Sequence, residues 1–329
     1  MADSRSRAFD NYCAYLPPAI AHWGIVFDSR FHAGIVAELV DRLERTTLLD
    51  IRQGPQAVVE FAREQIGADE IGVLGFLMNQ PAFAHGYSSA QEDALAQFNR
   101  WPTRKTKVCF EVWDANFCAL FAERSHELKA RCLEMHALVR SQAQISYSFG
   151  HDRRNDLQID CDHGPWVTQT GFEEDDYILP TGEIATCPRS VSGVASPDGW
   201  IIGTVPFAAK YGRSSPGDIV LRFADGRIVE VTGANRELCA DFEAVLAKLP
   251  ALRNVSEAGV GLSRAIANAA ATHPLGHLWH ERHYGFHLGL GARLPQTDHP
   301  TIERTGHHLD IVFAHGALRG ASGGDMMTW

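Results

Sequence analysis

The chain lacks any run of about 18 consecutive apolar residues, the length that a helix needs to cross a membrane. Its first seven residues also lack the apolar core of a secretory signal. Basic charge is scarce, since 30 Lys and Arg stand against 40 Asp and Glu and give a net charge of −10. Nucleic acids and anionic membranes attract clustered basic residues, so neither is an expected partner. These absences predict a cytoplasmic protein.

Cysteine pairs and nucleotide-binding loops are also missing. The seven cysteines are scattered with no Cys-x-x-Cys pair, which is typical of reduced, mostly buried thiols. No Gly-x-Gly-x-x-Gly or Walker loop opens any predicted helix, so nucleotide binding is not expected.

The 329 residues, 45% of them hydrophobic, suffice for a large core and predict two domains. The first half alternates helical and strand-like periodicity, which predicts a parallel sheet with helices on its faces. The predicted helices cover residues 31–45, 55–65, 91–98 and 116–135, and the strands cover 48–51, 71–76 and 107–112. We assign residues 1–150 to an α/β scaffold domain.

From about residue 150 the chain changes to short strands separated by Gly and Pro. An Asp225-Gly226 turn predicts a hairpin between two of them. Strands are predicted at 157–160, 200–205, 218–223 and 227–231, and helices at 237–248 and 262–271. Residues 151–329 are therefore predicted to form a β-rich α+β domain, which we expect to bind metal and carry catalysis.

His308 and Asp310 are two residues apart in a strand-like segment, which places both side chains on one face. An imidazole and a carboxylate that point together suit a divalent cation. His287 lies in a second alternating segment and could supply a further nitrogen from a neighbouring strand.

Two glutamates lie in apolar surroundings where an unpaired charge would be costly. Glu183 follows a Pro-x-Gly turn and enters an apolar segment, and Glu257 is flanked by small and apolar residues. Glycines beside Glu257 allow close backbone approach. With His308 and Asp310, these glutamates make four potential ligands in one half of the chain, which predict a shared metal site.

These segments resemble the aminopeptidase T family of dinuclear metallopeptidases, also called thermophilic metallopeptidases. Residues 180–188 are similar to its Pro-x-Gly-Glu-Val-Phe-Thr-x-Pro segment, and residues 257–263 to its Glu-Leu-Gly-Ile-Gly-x-Asn segment. Residues 287–291 resemble its His-x-Ala-Leu-Gly segment, and residues 308–310 its final His-x-Asp. By this resemblance the metal ligands are Glu183, Glu257, His287, His308 and Asp310.

The resemblance implies a hydrolase that cleaves an amide or peptide bond of a small substrate with two Zn²⁺, Co²⁺ or Mn²⁺ ions. Glu183 or Glu257 would be ligand and general base. Leu294 stands where the family has a tyrosine, and Tyr284 or His307 is the predicted replacement. Ser263 also departs from the family pattern.

The chain is also similar to the 2,5-dihydroxypyridine dioxygenases, which hold one Fe²⁺ with two histidines and a carboxylate. That resemblance implies ring cleavage as the alternative reaction, although those enzymes have a histidine where this chain has Glu257. A non-catalytic binding homologue is a further alternative. The histidine-rich stretch from His273 to His315, including His277, His280 and His283 at spacings of three, is interpreted as a polar segment near the site.

The aminopeptidase T resemblance implies a homodimer. Residues 9–27 are rich in apolar and aromatic side chains, which is typical of an association surface. The open alternative is that this segment packs on its own core.

Overall fold

The computed structural model describes residues 2–54, 56–57, 60–61, 64, 71–77, 106–149, 156–161, 165–172, 177–203, 205, 207–270, 278–291 and 307–329. The helix predicted at 91–98, most of the one at 55–65, and the positions Leu294, His273 and His277 lie outside these residues. None of the described helices is long and apolar enough to span a membrane.

The chain forms two compact units. Unit 1 contains residues 1–129 and 169–181, and unit 2 contains residues 130–168 and 182–329. The described helices are α1 (Ala2–Cys13), α2 (Ser29–Arg42), α3 (Phe117–Leu120), α4 (Ser125–Val139), α5 (Phe207–Tyr211), α6 (Arg236–Lys248) and α7 (Arg264–Ala270). Short 3₁₀ helices cover Ile51–Gln53, Pro250–Arg253 and Leu278–Arg282.

The strands run in chain order through both units. They are β1 (His22–Phe27), β2 (Arg45–Asp50), β3 (Ile71–Leu77), β4 (Thr106–Phe110), β5 (Gln144–Ser148), β6 (Asp156–Asp160), β7 (Val167–Gln169), β8 (Ile178–Leu179), β9 (Glu183–Thr186), β10 (Ser190–Ala195), β11 (Ile201–Gly203), β12 (Val220–Ala224), β13 (Arg227–Thr232), β14 (Val255–Gly261), β15 (Gly285–Gly291), β16 (His308–Phe313), β17 (Ala317–Gly320) and β18 (Asp325–Thr328).

Unit 1 contains a five-stranded sheet in the order β2-β1-β3-β4-β8, in which every pairing is parallel. Asp28 caps α2 by accepting a hydrogen bond from the backbone N–H of Arg30 at 2.9 Å. Apolar side chains from the strands, among them Val26, Val73 and Val108, form a buried cluster. The predicted parallel sheet is confirmed.

The aromatic segment at the N-terminus packs on its own unit. Residues 2–13 form a helix, which the sequence analysis did not predict, and the Phe9 ring stacks on Phe117 with centroids 4.3 Å apart. The side chains proposed as an association surface are buried within the chain: Tyr12, Tyr15, Leu16, Trp23, Ile25 and Phe27. A homodimer stays a prediction, without support from this segment.

Unit 2 contains two antiparallel sheets. One has the order β13-β12-β10-β6-β5-β17-β18, and the other has the order β11-β16-β15-β14-β9-β7. The Tyr147 ring of the first sheet packs on Phe286 and Phe313 of the second, with centroids 5.2 and 4.7 Å away. One face of the six-stranded sheet is therefore apolar core, and its other face remains for polar side chains.

Local chemistry explains several element boundaries. Asp225 and Gly226 both have positive φ, 48° and 73°, as the tight turn between β12 and β13 requires. The helix predicted at 116–135 is instead two helices, α3 and α4. Phe121 leaves helical geometry, and Ser125 with Glu127 begins a new first turn.

The units divide elsewhere than at the predicted boundary near residue 150. β5 pairs with β6 and with β17 near the C-terminus, so the chain enters unit 2 before the change in sequence texture. β8 returns to the parallel sheet beside β4. Such long-range pairings leave no mark in local periodicity, which is why the sequence did not indicate them.

The N-cap of α6 tests whether neighbouring residues in the sequence set the start of this helix. Asn235 accepts a hydrogen bond from the Leu238 N–H at 3.1 Å, and Leu238, Phe242 and Leu246 form the buried face of the helix. We predict that Asn235→Ala lowers the free energy of unfolding of unit 2 by about 1 kcal/mol in a urea titration, because the cap is lost. Asn235→Ser keeps a capping oxygen and should stay within a few tenths of wild type; equal losses in both variants would contradict the prediction.

Candidate metal centre

Five polar side chains share one face of the six-stranded sheet. Glu183 lies on β9, Glu257 on β14, His287 on β15, and His308 and Asp310 on β16, which are four neighbouring strands. Gly289 of β15 pairs with Glu257 on one side and with Asp310 on the other. Because side chains alternate across a strand, this register directs all five toward the same face.

Glycines on that face make the room that the polar side chains occupy. A Cβ atom on Gly259 would lie 2.1 Å from the His287 ring, and one on Gly289 would lie 2.7 Å from the Glu257 Cβ and 2.8 Å from the His308 Cε1. Any larger residue would therefore displace an imidazole or a carboxylate. The alternation of Gly with His and Glu in β14 and β15 is part of the site.

The five side chains form two groups of three that share Glu257. The inner group is Glu183, Glu257 and His287, and the outer group is Glu257, His308 and Asp310. Within each group one potential ligand atom per residue lies within 4.8 Å of the others.

In the inner group, Nε2 of His287 lies 2.9 Å from Oε1 of Glu183 and 3.5 Å from Oε1 of Glu257. In the outer group, Nε2 of His308 lies 2.9 Å from Oδ1 of Asp310 and 3.6 Å from Oε2 of Glu257. Ligand atoms about 2.0–2.2 Å from a common cation lie roughly 3–4 Å from one another, so both groups fit a cation.

Hydrogen bonding does not account for the inner group. Both ring nitrogens of His287 and Oε1 of Glu183 are buried and make no well-oriented hydrogen bond with any described residue, although Nε2 approaches Oε1 to 2.9 Å. Buried polar atoms normally have a partner, and an imidazole facing two carboxylates without one suits a cation between them.

The electrostatics of the five groups favour added positive charge. Burial alone would raise the pKa of Glu183, but the charge of His287 lowers it. Burial would likewise raise the pKa of Asp310, but the charge of His308 holds that pKa at about 2. Burial, reinforced by the Glu183 charge, raises the pKa of Glu257. Burial would lower the pKa of both imidazoles, yet the neighbouring carboxylates raise both values. The pKa of His287 lies well above its usual value, and the pKa of His308 is about 10. Three buried carboxylates thus require compensating positive charge.

Two site residues escaped the sequence analysis. Glu281 and Arg282 end the 3₁₀ helix Leu278–Arg282, and Nε of Arg282 lies 3.6 Å from Oε2 of Glu183. Burial, reinforced by the nearby charge of Asp310, raises the pKa of Glu281 well above its usual range. An adjacent acid and base directly before the glycine-rich β15 was the available signal.

The other predicted residues lie outside both groups. Tyr284 precedes β15 and its ring faces the Arg264 guanidinium at 5.3 Å. His307 directly precedes β16. His280 packs between Trp279 and Trp200, and His283 contacts the carbonyl oxygens of His280 and Phe313. The catalytic roles of Tyr284 and His307 remain predictions.

No protein-family model and no curated protein sequence matches this chain. The solved structure of 2,5-dihydroxypyridine dioxygenase from Pseudomonas putida KT2440 is similar, with a TM-score of 0.66 and 16% sequence identity. The alignment covers 99% of this chain and 96% of that one, so the two share a fold. This likeness agrees with the dioxygenase resemblance and gives no support to the aminopeptidase T resemblance.

The glycine face provides a direct test of the site. We predict that Gly259→Ala weakens cation binding roughly 10- to 100-fold, because overpacking of about 1–3 kcal/mol displaces the His287 ring. Binding is measured by equilibrium dialysis with Co²⁺ on protein whose circular dichroism shows it to be folded.

Gly324→Ala is the matched control, since its Cβ would meet nothing closer than 3.9 Å. Unchanged Co²⁺ affinity in folded Gly259→Ala would show that this face does not hold the cation.

Proposed function

We propose that this protein is a metal-dependent enzyme whose centre comprises Glu183, Glu257, His287, His308 and Asp310, and that it cleaves a small hydroxylated aromatic ring with dioxygen. The observation that carries the metal centre is the pair of three-residue groups that share the buried Glu257. The ring-cleaving reaction is supported by the fold shared with 2,5-dihydroxypyridine dioxygenase over nearly the whole chain.

Imidazole with carboxylate is a donor set that suits Fe²⁺. Such an ion, when bound, supplies coordination positions that bring dioxygen and a hydroxylated ring together. The reaction adds both atoms of one O₂ to the opened ring and needs no other oxidant or reductant.

The outer group is the side of the site that a substrate can reach. The His308 side chain is 32% exposed, whereas those of Glu183, Glu257, His287 and Asp310 are at most 5% exposed. His308 and Asp310 would hold the ion and fix the orientation of the ring, while the buried inner group keeps the shared Glu257 in place.

A second candidate is metal-assisted hydrolysis of an amide or peptide bond, with two Zn²⁺, Co²⁺ or Mn²⁺ ions. One observation favours it: each group contains one imidazole and two carboxylates, rather than the two imidazoles and one carboxylate of the common iron site. Glu257, which belongs to both groups, would contact both cations.

Two assays, each on protein loaded with the metal that its candidate reaction needs, separate the candidates. Protein loaded with Fe²⁺ under argon is supplied with 2,5-dihydroxypyridine and air, and we predict O₂ uptake with loss of the ring absorbance. Protein loaded with Zn²⁺, Co²⁺ or Mn²⁺ is supplied with aminoacyl-nitroanilides, and we predict no release of nitroaniline.

His308→Ala should reduce the oxygenase rate by more than about 100-fold. Mutation of a residue that only hydrogen-bonds to a metal ligand already lowers metal affinity or activity 10- to 100-fold, and His308 is a proposed ligand itself.

His126→Ala, a change at an exposed histidine of α4, controls for the loss of an imidazole. Nitroanilide hydrolysis without O₂ uptake would make the hydrolase the correct candidate. Neither activity across a panel of dihydroxylated rings and peptides would instead support the non-catalytic binding homologue.

Cation stoichiometry tests the shared glutamate. Because Glu257 belongs to both groups, we predict that Glu257→Ala loses all tight cation binding, as measured by inductively coupled plasma mass spectrometry after dialysis. His287→Ala removes a ligand of the inner group alone and should retain binding at the outer group. Full metal content in folded Glu257→Ala would contradict the shared-ligand arrangement.

A further inference from the structure

The end of the 3₁₀ helix Leu278–Arg282 lies directly on the ligand face of the sheet. A Cβ atom on Gly261 would lie 2.0 Å from the carbonyl oxygen of His283 and 2.6 Å from that of Glu281. The Arg282 carbonyl accepts a hydrogen bond from the Ser263 N–H at 3.1 Å. The backbone of Glu281 and Arg282 is thus fixed against the end of β14, the strand that carries Glu257.

The side chains of these two residues reach one ligand carboxylate in each group. Nε of Arg282 lies 3.6 Å from Oε2 of Glu183, and its Nη1 lies 2.5 Å from Oε1 of Glu281. Glu281 in turn lies beside Asp310, close enough for each carboxyl group to act on the other. The Arg282 and Glu281 side chains are 5% and 16% exposed, so water screens these contacts little.

We propose that Glu281 and Arg282 are positioning residues that hold Glu183 and Asp310 and thereby link the inner group to the outer group. This proposal rests on the proposed metal centre. The contacts run from Glu183 through Arg282 and Glu281 to Asp310, and neither Glu281 nor Arg282 belongs to either group of three.

The contacts orient the carboxylates as well as balancing charge. Oε1 of Glu183 faces His287, while its other oxygen, Oε2, faces Arg282. A carboxylate held in this way keeps one oxygen turned toward the cation position. Residues that hydrogen-bond to metal ligands fix the orientation of those ligands, and their removal typically weakens metal affinity 10- to 100-fold.

The test uses Co²⁺ titrations of the metal-stripped, full-length protein, followed by visible absorption and by competition with a chromophoric chelator. We expect Arg282→Met to weaken Co²⁺ binding at least 10-fold and to change the absorption spectrum of the bound ion. Arg282→Lys should restore part of the affinity, because it returns the charge without the planar guanidinium. Glu281→Ala should also weaken binding, since Asp310 loses its partner.

Arg253→Met is the matched control, because Arg253 pairs with Glu243 at 2.6 Å and has no contact with either group among the described residues. Affinity and spectrum unchanged from wild type in folded Arg282→Met would overturn the proposal and leave the metal centre intact. Absence of Co²⁺ binding by the wild type would overturn the metal centre itself. If Arg282→Met does not fold, Glu281→Ala decides the question by the same criteria.

Discussion

The polar face of unit 2 depends on the burial of three carboxylates beside two imidazoles. Glu183, Glu257 and Asp310 are each at most 5% exposed and lie on neighbouring strands. Carboxylates brought this close in a buried site repel one another and lose their hydration, so the arrangement persists only with positive charge between them. His287, His308 and Arg282 supply part of that charge, and a bound cation would supply the rest.

The sheet accommodates this arrangement by dividing its functions between its two faces. Residues 286, 288 and 290 of β15 point into the apolar core beneath Tyr147, while residues 285, 287, 289 and 291 face the site. Of those four, only His287 has a side chain, and the glycines leave the volume that Glu257, His283 and His308 occupy. The core face therefore fixes the register, and the register fixes which ligands meet.

Local patterns were sufficient to predict much of this structure. The alternation in β14–β16 and the costly positions of Glu183 and Glu257 led to five residues that the structure brings together in two groups. The Asp-Gly hairpin, α2 and α6 were predicted for the same reason, since their determinants are neighbours in sequence. The return of β8 to the parallel sheet, the pairing of β5 with β17 and the contacts of Glu281 and Arg282 depend on residues far apart in the chain. The burial of the N-terminal aromatic side chains likewise depended on where the rest of unit 1 would lie.

The central claim is that a cation occupies the space between the carboxylates and imidazoles of this face. A crystal structure of the protein soaked with Mn²⁺ or Co²⁺, with data collected at the absorption edge of the ion, tests it most directly. We predict an anomalous difference peak about 2.0–2.2 Å from ligand atoms of Glu257, His308 and Asp310. A map with no peak between these side chains, or with the ion bound only elsewhere, would contradict it.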